Sequence, residues 1–419
     1  MQTNDFSNLP TSWQIKTLGE VCEILDNMRK PINSTEREQR LKNSTTKYAY
    51  YGATGQVGYI DDFLCDFESI LLGEDGAPFL EPFKDKAYIV SGKYWVNNHA
   101  HILKAKENFA INKFVCYFLN IVDYMPYVSG TTRLKLNQSA MKQIKIPLPS
   151  LEIQKRIVAR LERAFEKIEK GSAHLQNAKT KLAKYKQSLL KSAFDGTLTA
   201  TASLQGVEKA ETIHKVDCHD LTSSKLAMTD KENPKLPQGW TIKTLNEVCE
   251  KISAGGDKPN DCTAEKTQEN QIPIFSNGVE NNGLYGYTKT PTITKPALTI
   301  SARGTIGFVC VRYEPFFPIV RLISAIPNDK ILVLEFLAYA LRYLIPQGEG
   351  SSIPQLTIPN FKQIKIPLPP LETQKQIVKL LEKHLQHADK TGKFIESALN
   401  KAKQLKQSLL KSAFLGKLT

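Results

Sequence analysis

The sequence contains no Cys-x-x-Cys pair, no apolar run long enough to span a bilayer, and no glycine-rich phosphate-binding loop. Each absence closes a route. The seven cysteines, at 22, 65, 116, 218, 249, 262 and 310, are odd in number and scattered, which argues against a disulfide framework and a structural zinc site. The polar Met1–Pro10 segment lacks the basic-then-apolar profile of a signal peptide, so the cytoplasm is the expected location. Without Gly-x-x-x-x-Gly-Lys-Ser/Thr, ATP use through a Walker loop has no support. No glycine fingerprint follows a strand to open a helix, as a dinucleotide or S-adenosylmethionine fold needs. Asn-Pro-Pro-aromatic and Asp-Pro-Pro-aromatic segments, which would indicate amino-methylation of a base, are also missing. The expectation is a chain that holds no cofactor and catalyses nothing itself.

What is present is an excess of positive charge. Over 419 residues, 56 Lys and Arg stand against 42 Asp and Glu, a formal net charge of +14. Such a balance favours polyanionic partners, nucleic acid before anionic membrane. A hydrophobic content of 41% with 23% charged residues is ordinary globular composition, and the length suffices for two or three domains.

The chain is written twice. Leu9-Pro10-Thr11-Ser12-Trp13-Gln14-Ile15-Lys16-Thr17-Leu18 returns as Leu236-Pro237-Gln238-Gly239-Trp240-Thr241-Ile242-Lys243-Thr244-Leu245. Lys142–Pro149 returns as Lys362–Pro369, and Lys186–Phe194 as Lys406–Phe414, in the same order. That is a duplicated unit. Between these matched ends lie two divergent bodies, about Glu23–Met141 and Glu250–Phe361. Both carry β-type runs, Ser69–Gly73 and Ala297–Ser301, followed by turn glycines at Gly76 and Gly304. Helical stretches follow near Ile111–Val122 and Ile331–Leu344. Each body reads as an α+β domain of short strands with a few helices.

After Pro149 and Pro369 the pattern turns helical. Ile157, Leu161, Ile168, Leu175, Leu182 and Leu189 fall on one seam of the first stretch; Ile377, Leu381, Ile395, Leu405 and Leu409 fall on one seam of the second. With Ala164, Gly171, Ala178 and Tyr185 between them in the first stretch, and His384, Ala388, Thr391, Ala398 and Ala402 in the second, the spacing averages about 3.5, that of a coiled coil. Each helix would run for about 40 residues, roughly 60 Å. The simplest partner is the other long helix of the same chain, and the alternative is that each packs on its own body. A helix that long would overhang a domain of this size, which favours the pair. The expected division is 1–149, a first domain; 150–199, a first long helix; 200–235, a linker; 236–369, a second domain; and 370–419, a second long helix.

Catalytic and metal readings find little. His99 and His101 share a strand face, with Cys65 and Cys116 in the same body, but no fixed ligand spacing supports a metal. Asp61–Asp62 and Glu74–Asp75 could hold magnesium in a nuclease, yet the second copy has Ala302–Arg303 opposite Glu74–Asp75. Trp13 and Trp240 read as core anchors, and His384 as a packing residue on the helix seam.

Several signatures together resemble the specificity subunit of type I restriction-modification systems. They are Leu-Pro-x-x-Trp at Leu9–Trp13 and Leu236–Trp240, and Gly-Ser/Thr-Ser/Thr at Gly130–Thr132 and Gly350–Ser352. The third is Ile-Pro-Leu-Pro followed by Leu-Glu-x-Gln-Lys-x-Ile-Val, at Ile146–Val158 and Ile366–Val378. The resemblance spans both halves. It implies two target-recognition domains joined by two long antiparallel helices, each domain reading one half of a split DNA target. It also implies two modification subunits docked on the helices, with restriction subunits added, and methyl transfer, ATP hydrolysis and cleavage belonging to those partners. A type II specificity subunit would share the architecture, and a coiled-coil scaffold between two protein-binding domains is the reading without DNA. Divergent bodies between like ends imply an asymmetric target.

Base reading needs Arg, Lys, Asn or Gln on loops that can enter a groove, and phosphate clamping needs basic, hydroxyl or backbone donors. The expected DNA-binding residues are Arg29, Lys30, Tyr51, Asn97, Asn98, Thr131, Thr132 and Arg133 in the first body. In the second they are Lys258, Asn277, Ser301, Arg303, Arg321, Ser351 and Ser352.

Overall fold

A computed structural model describes residues 6, 9–42, 44–199, 236–345, 348–349 and 356–418; the expected 200–235 linker lies outside them. The chain divides into two compact units, Met1–Ala178 with Phe394–Thr419, and Lys179–Lys393.

In the first unit the repeated opening forms strand Gln14–Thr17, antiparallel to Lys145–Leu148 at the far end of the body. The next turn is fixed by a capping box: the Thr17 N–H and hydroxyl donate to the Glu20 carboxylate at 2.7 and 2.8 Å. A four-stranded antiparallel sheet follows, ordered Cys22–Ile24, Ala100–Ala105, Ser69–Gly73, Ala87–Val90. A second sheet is ordered Gly55–Ile60, Tyr48–Gly52, Lys93–Val96, Cys65–Asp66, and its two middle strands are parallel. The continuous apolar run Ile70-Leu71-Leu72 has a simple cause: both faces of its strand are covered. Ile70 and Leu72 join the core of helix Asn112–Leu119, while Leu71 joins Tyr94, Val96 and Ile102 on the other side.

The second unit repeats this order, except that among the described residues its second sheet has three strands, with none matching Cys65–Asp66. Its first sheet runs Cys249–Ala254, Ile323–Pro327, Ala297–Ile300, Val309–Arg312, its second Leu284–Thr288, Ile272–Phe275, Phe317–Pro318, and helix Leu334–Leu344 covers the first. Strand Thr241–Thr244 pairs with Lys365–Leu368, and Thr244 and Glu247 form the matching capping box. The duplication is therefore one of topology as well as sequence.

The two long helices, Leu151–Phe194 and Leu371–Phe414, have 44 residues each. A buried glutamine sets the start of each. Gln154 accepts from the Ile111 N–H and donates to the Phe109 and Pro149 carbonyls; Gln374 accepts from Val333 and donates to Ile331 and Pro369. Each amide satisfies three backbone groups, and its loss would leave them unmet at a cost of about 2 kcal/mol. The first turns bury Ile157 and Leu161, or Ile377 and Leu381, against the body from which the helix emerges. The last turns complete a core made by the other repeat. Leu410, Ala413 and Phe414 enter the first unit, where the Phe414 ring lies 4.8 Å from Phe114. Leu189, Ala193 and Phe194 enter the second, where Phe194 lies 5.4 Å from Phe336.

Within each unit the two helix segments run side by side and antiparallel. In the first, Lys406 pairs with Glu169 at 3.8 Å and Arg160 donates to the Leu418 carbonyl at 2.8 Å. In the second, the Tyr185 hydroxyl meets His384 Nδ1 at 3.1 Å and Lys186 pairs with Asp389. Helix pairing and packing on the body thus coexist. Of the seam residues, Ile157, Leu161, Leu189, Ile377, Leu381 and Ile395 are buried, and Ile168, Leu175, Leu182 and Leu409 are half-buried. Leu405 is a correction: it stands 50% exposed. Lys406 takes the facing position instead, its ammonium 5.1 Å from the Phe165 ring centre, which turns Leu405 about 100° away.

Candidate nucleic-acid interface

In the first body the loops beyond the sheets come together. Strand Tyr48–Gly52 lies beside Lys93–Val96, so the Asn97 N–H reaches the Tyr51 carbonyl and the Lys30 N–H the Val96 carbonyl. Asp75 then gathers His99 at 3.5 Å and Arg133 at 2.6 Å. Arg133 belongs to a tight turn closed by backbone bonds between Ser129 and Lys135, in which Gly130 sits at φ 96°. A Cβ there would meet the Arg133 carbonyl oxygen at 2.5 Å, so the turn requires glycine. Thr132 and Arg133 line an open cleft with Thr54, Gly76 and Phe79. Lys30, Asn98, Thr131, Thr132 and Arg133 are all exposed on these loops.

Beneath them lies a polar lock that sequence reasoning missed. His101 is fully buried, with Nδ1 2.6 Å from Asp26 and Nε2 2.8 Å from the Leu136 carbonyl. Asp26 also accepts from Ile102 N–H and Gln138, both at 3.0 Å. Arg29 bridges Asp26 and Glu74, and Lys135 reaches Glu74 at 3.3 Å. Burial pushes both acids up, but the lock overrides it and holds both below their usual range. For Asp26 the opposing causes are the His101 hydrogen bond and charge, the Ile102 N–H and Arg29; for Glu74 they are Arg29, His101 and Lys135. The partners are about 75 residues apart in sequence, so no local spacing announces them.

Arg29 and Asn97 depart from the expected DNA-binding set. Arg29 does not offer its guanidinium to a ligand, because Glu74, Asp26 and the Ala100 carbonyl occupy it. Asn97 is buried, and its side-chain oxygen accepts from the His99 N–H. Tyr51 is half-buried, its ring packed 5.9 Å from Tyr88 and 6.0 Å from Tyr94. The carboxylate pair Glu74–Asp75 is ion-paired throughout. Asp26, Glu74 and His101 have ligand atoms close enough for a metal, but the Arg29 and Lys135 cations already answer their charge. Cys65 and Cys116 are buried, the latter with its thiol pushed up to about 12 by burial, so neither is a poised ligand.

The second body builds the same loop cluster by other means. Asn277 is its brace: it donates to the Val320 carbonyl at 2.7 Å and accepts from the Ala302 N–H at 2.9 Å. The Gly278 N–H reaches the Ser301 hydroxyl at 3.4 Å, and Gly255 and Gly256 accept from Arg321 and Val320. These bonds bring Lys258, Asn277, Arg303 and Arg321 to one group of loops. Ser301 is a correction, since it is buried and positions Gly278 rather than facing a ligand. Asn277 likewise has both amide atoms engaged. Lys258 and Arg321 are exposed and Arg303 half-buried. Ser351 and Ser352 lie outside the described residues. Trp13 is buried in the first core and Trp240 packs against the second.

Residues 10–177 and 237–400 match the family model described as the type I restriction modification DNA specificity domain. The chain belongs to this type I specificity family. A Mycoplasma pneumoniae chain named as a type I specificity subunit is 27% identical over 82% of this chain and 83% of its own length. The EcoDI specificity subunit of Escherichia coli is 23% identical over 98% of this chain and 90% of its own. Among solved structures, a chain of a type I R-M assembly superposes with a TM-score of 0.68, 21% identity and coverage of 98% of this chain and 99% of that one. The HsdS subunit of Thermoanaerobacter tengcongensis gives a TM-score of 0.52 at 21% identity, covering 98% of each chain. These structures share the fold. The specificity-family match favours neither the type II reading nor the scaffold without DNA.

Proposed function

We propose that this type I specificity chain reads a split, asymmetric duplex target, the first body one half and the second body the other. The observation that carries the reading is that one frame builds the same loop cluster twice with different side chains. Equal frames place two readers equivalently, and unequal loops give them different half-sites. The net charge of +14 supplies the general attraction for phosphate. The chain holds no cofactor of its own; methyl transfer, ATP hydrolysis and cleavage fall to two modification subunits and to restriction subunits assembled with it in the cytoplasm. The long helices dock the modification subunits and set the length of the unread gap.

The test is to exchange about Glu23–Met141 for the body of a relative and sequence the methylome of cells carrying the chain with its partner subunits. The expected motif keeps one half and changes the other. A change in both halves from an active complex would overturn the assignment of one half-site to each body.

A further inference from the structure

Val320 and Arg321 stand in succession at φ 54° and 59°. Left-handed backbone is costly for any residue but glycine, and most of all for a β-branched one. The conformation is enforced from outside. The Val320 N–H donates to Gly256 at 2.8 Å, the Arg321 N–H to Gly255 at 2.9 Å, and the Asn277 amide to the Val320 carbonyl at 2.7 Å. The Gly255 N–H closes the ring on the Leu322 carbonyl at 2.8 Å. Gly255 itself has no room for a side chain, since a Cβ would lie 2.6 Å from the Pro318 carbonyl carbon. Ile319 and Leu322 are buried on either side, anchoring the loop to the sheet.

What this enforcement achieves is exposure. Val320 is 49% exposed and Arg321 is exposed, so the strained pair gains nothing from a core. Among the described residues Arg321 has no ion-pair partner, whereas Arg29 and Arg133 of the first body both do. A loop that only had to turn would place glycine or asparagine at these angles. Strain held by over-determined surroundings is a mark of a working site.

Resting on the DNA-reading role above, we propose that Val320–Arg321 is the base-reading tip of the second body. The Arg321 guanidinium donates its two-pronged fork to O6 and N7 of a guanine in the major groove, and Val320 seats against the methyl of a neighbouring thymine. The Gly255–Asn277 cradle holds both at fixed angles, so that reading costs little ordering on binding.

The test uses the full chain with its partner subunits, as wild type, Arg321→Ala, Arg321→Lys and Val320→Gly. Methylation motifs, binding to duplexes varied in the second half-site, and Tm are read together. Arg321→Ala and Arg321→Lys are expected to lose preference for one guanine by about ten- to a hundredfold, with the first half-site unchanged. Val320→Gly relieves the backbone while deleting the contact, so Tm is expected to hold or rise while the adjacent position relaxes. Variants that keep the wild-type motif and affinity would overturn the assignment. So would a Val320→Gly chain that loses Tm and both half-sites together, because that is the signature of a structural turn. A wild-type complex with no split motif would overturn the underlying DNA-reading role, and this assignment with it.

Discussion

Arg29, Glu74 and His101 close the first body's loop cluster through charge; Gly255, Asn277 and Ser301 close the second's through uncharged hydrogen bonds to backbone groups. The four-stranded sheets beneath are ordered alike. At the end of the strand pair Ser69–Gly73 and Ala297–Ile300, one copy continues into Glu74–Asp75 and the other into Ala302–Arg303. The first therefore needs cations from other loops to neutralise it, and takes Arg29, Lys135 and Arg133. The second has no carboxylate at that point, and its Arg321 stands exposed while Arg303 is half-buried. A frame that stays constant while its loops change their chemistry is what a pair of readers for unequal half-sites requires.

The shared parts do the opposite work. Gln154 and Gln374 make the same three backbone bonds in each copy, and Phe414 and Phe194 fill the same core position. These residues explain why the ends of the repeat stay alike: every one is tied to backbone or buried in a core that the other repeat completes.

The contrast can be broken most severely at Arg29. Arg29→Ala leaves Asp26 and Glu74 buried without their common cation, and is expected to destabilise the first unit by about 3 kcal/mol. Hydrogen exchange should show Ser69–Gly73 and Ala100–Ala105 losing protection while Ala297–Ile300 and Ile323–Pro327 keep theirs. Equal loss in both units would show that the charge lock is not confined to the first.

Acid sharpens the same contrast with a smaller effect. Asp26 and Glu74 are held below their ordinary values of 3.8 and 4.5, so their stabilisation is full above that range and lost as pH falls through the depressed values. In the second unit three carboxylates are depressed: Glu247, at about 2, and Glu269 are exposed, where screening leaves them little weight, and Asp261 is half-buried, held by the Lys289 N–H and the Thr288 hydroxyl at the end of one strand. Below about pH 4.5 the first unit's strands are expected to open before the second's, in exchange corrected for the intrinsic effect of pH. Opening in the reverse order would remove the asymmetry.

Much of the frame was legible because it rests on periodicity and repetition. The turn glycines Gly76 and Gly304 do sit at positive φ, 73° and 69°, and the long helices begin just past Pro149 and Pro369. The loops were less legible because their geometry is made at long range. Arg29 reads as a free surface arginine until Glu74, 45 residues away, is seen against it. Ser301 reads as a donor until burial removes it. Nothing in the residue types of Val320 and Arg321 signals left-handed backbone; the requirement comes from Gly255 and Gly256, more than sixty residues earlier. Gln154 and Gln374 were visible as members of a repeated motif, but a buried brace and a surface residue look the same there.

The smallest effect is expected at Arg133, and it separates holding DNA from reading it. Its ion pair with Asp75 is 61% exposed on the arginine side, so Arg133→Ala should change stability by no more than about 0.5 kcal/mol. The side chain leads off a glycine-fixed turn of hydroxyls, an arrangement suited to a phosphate rather than to a base edge. Removing one phosphate contact should lower the slope of log affinity against log salt by about 0.9, and weaken cognate and altered duplexes equally. The measurement is a salt titration of binding with duplexes changed in either half-site, beside Arg321→Ala under the same conditions. Arg133→Ala should move the slope and leave the motif; Arg321→Ala should move the motif. If Arg133→Ala instead relaxed one position of the first half-site, the charge-locked body would read bases through this turn.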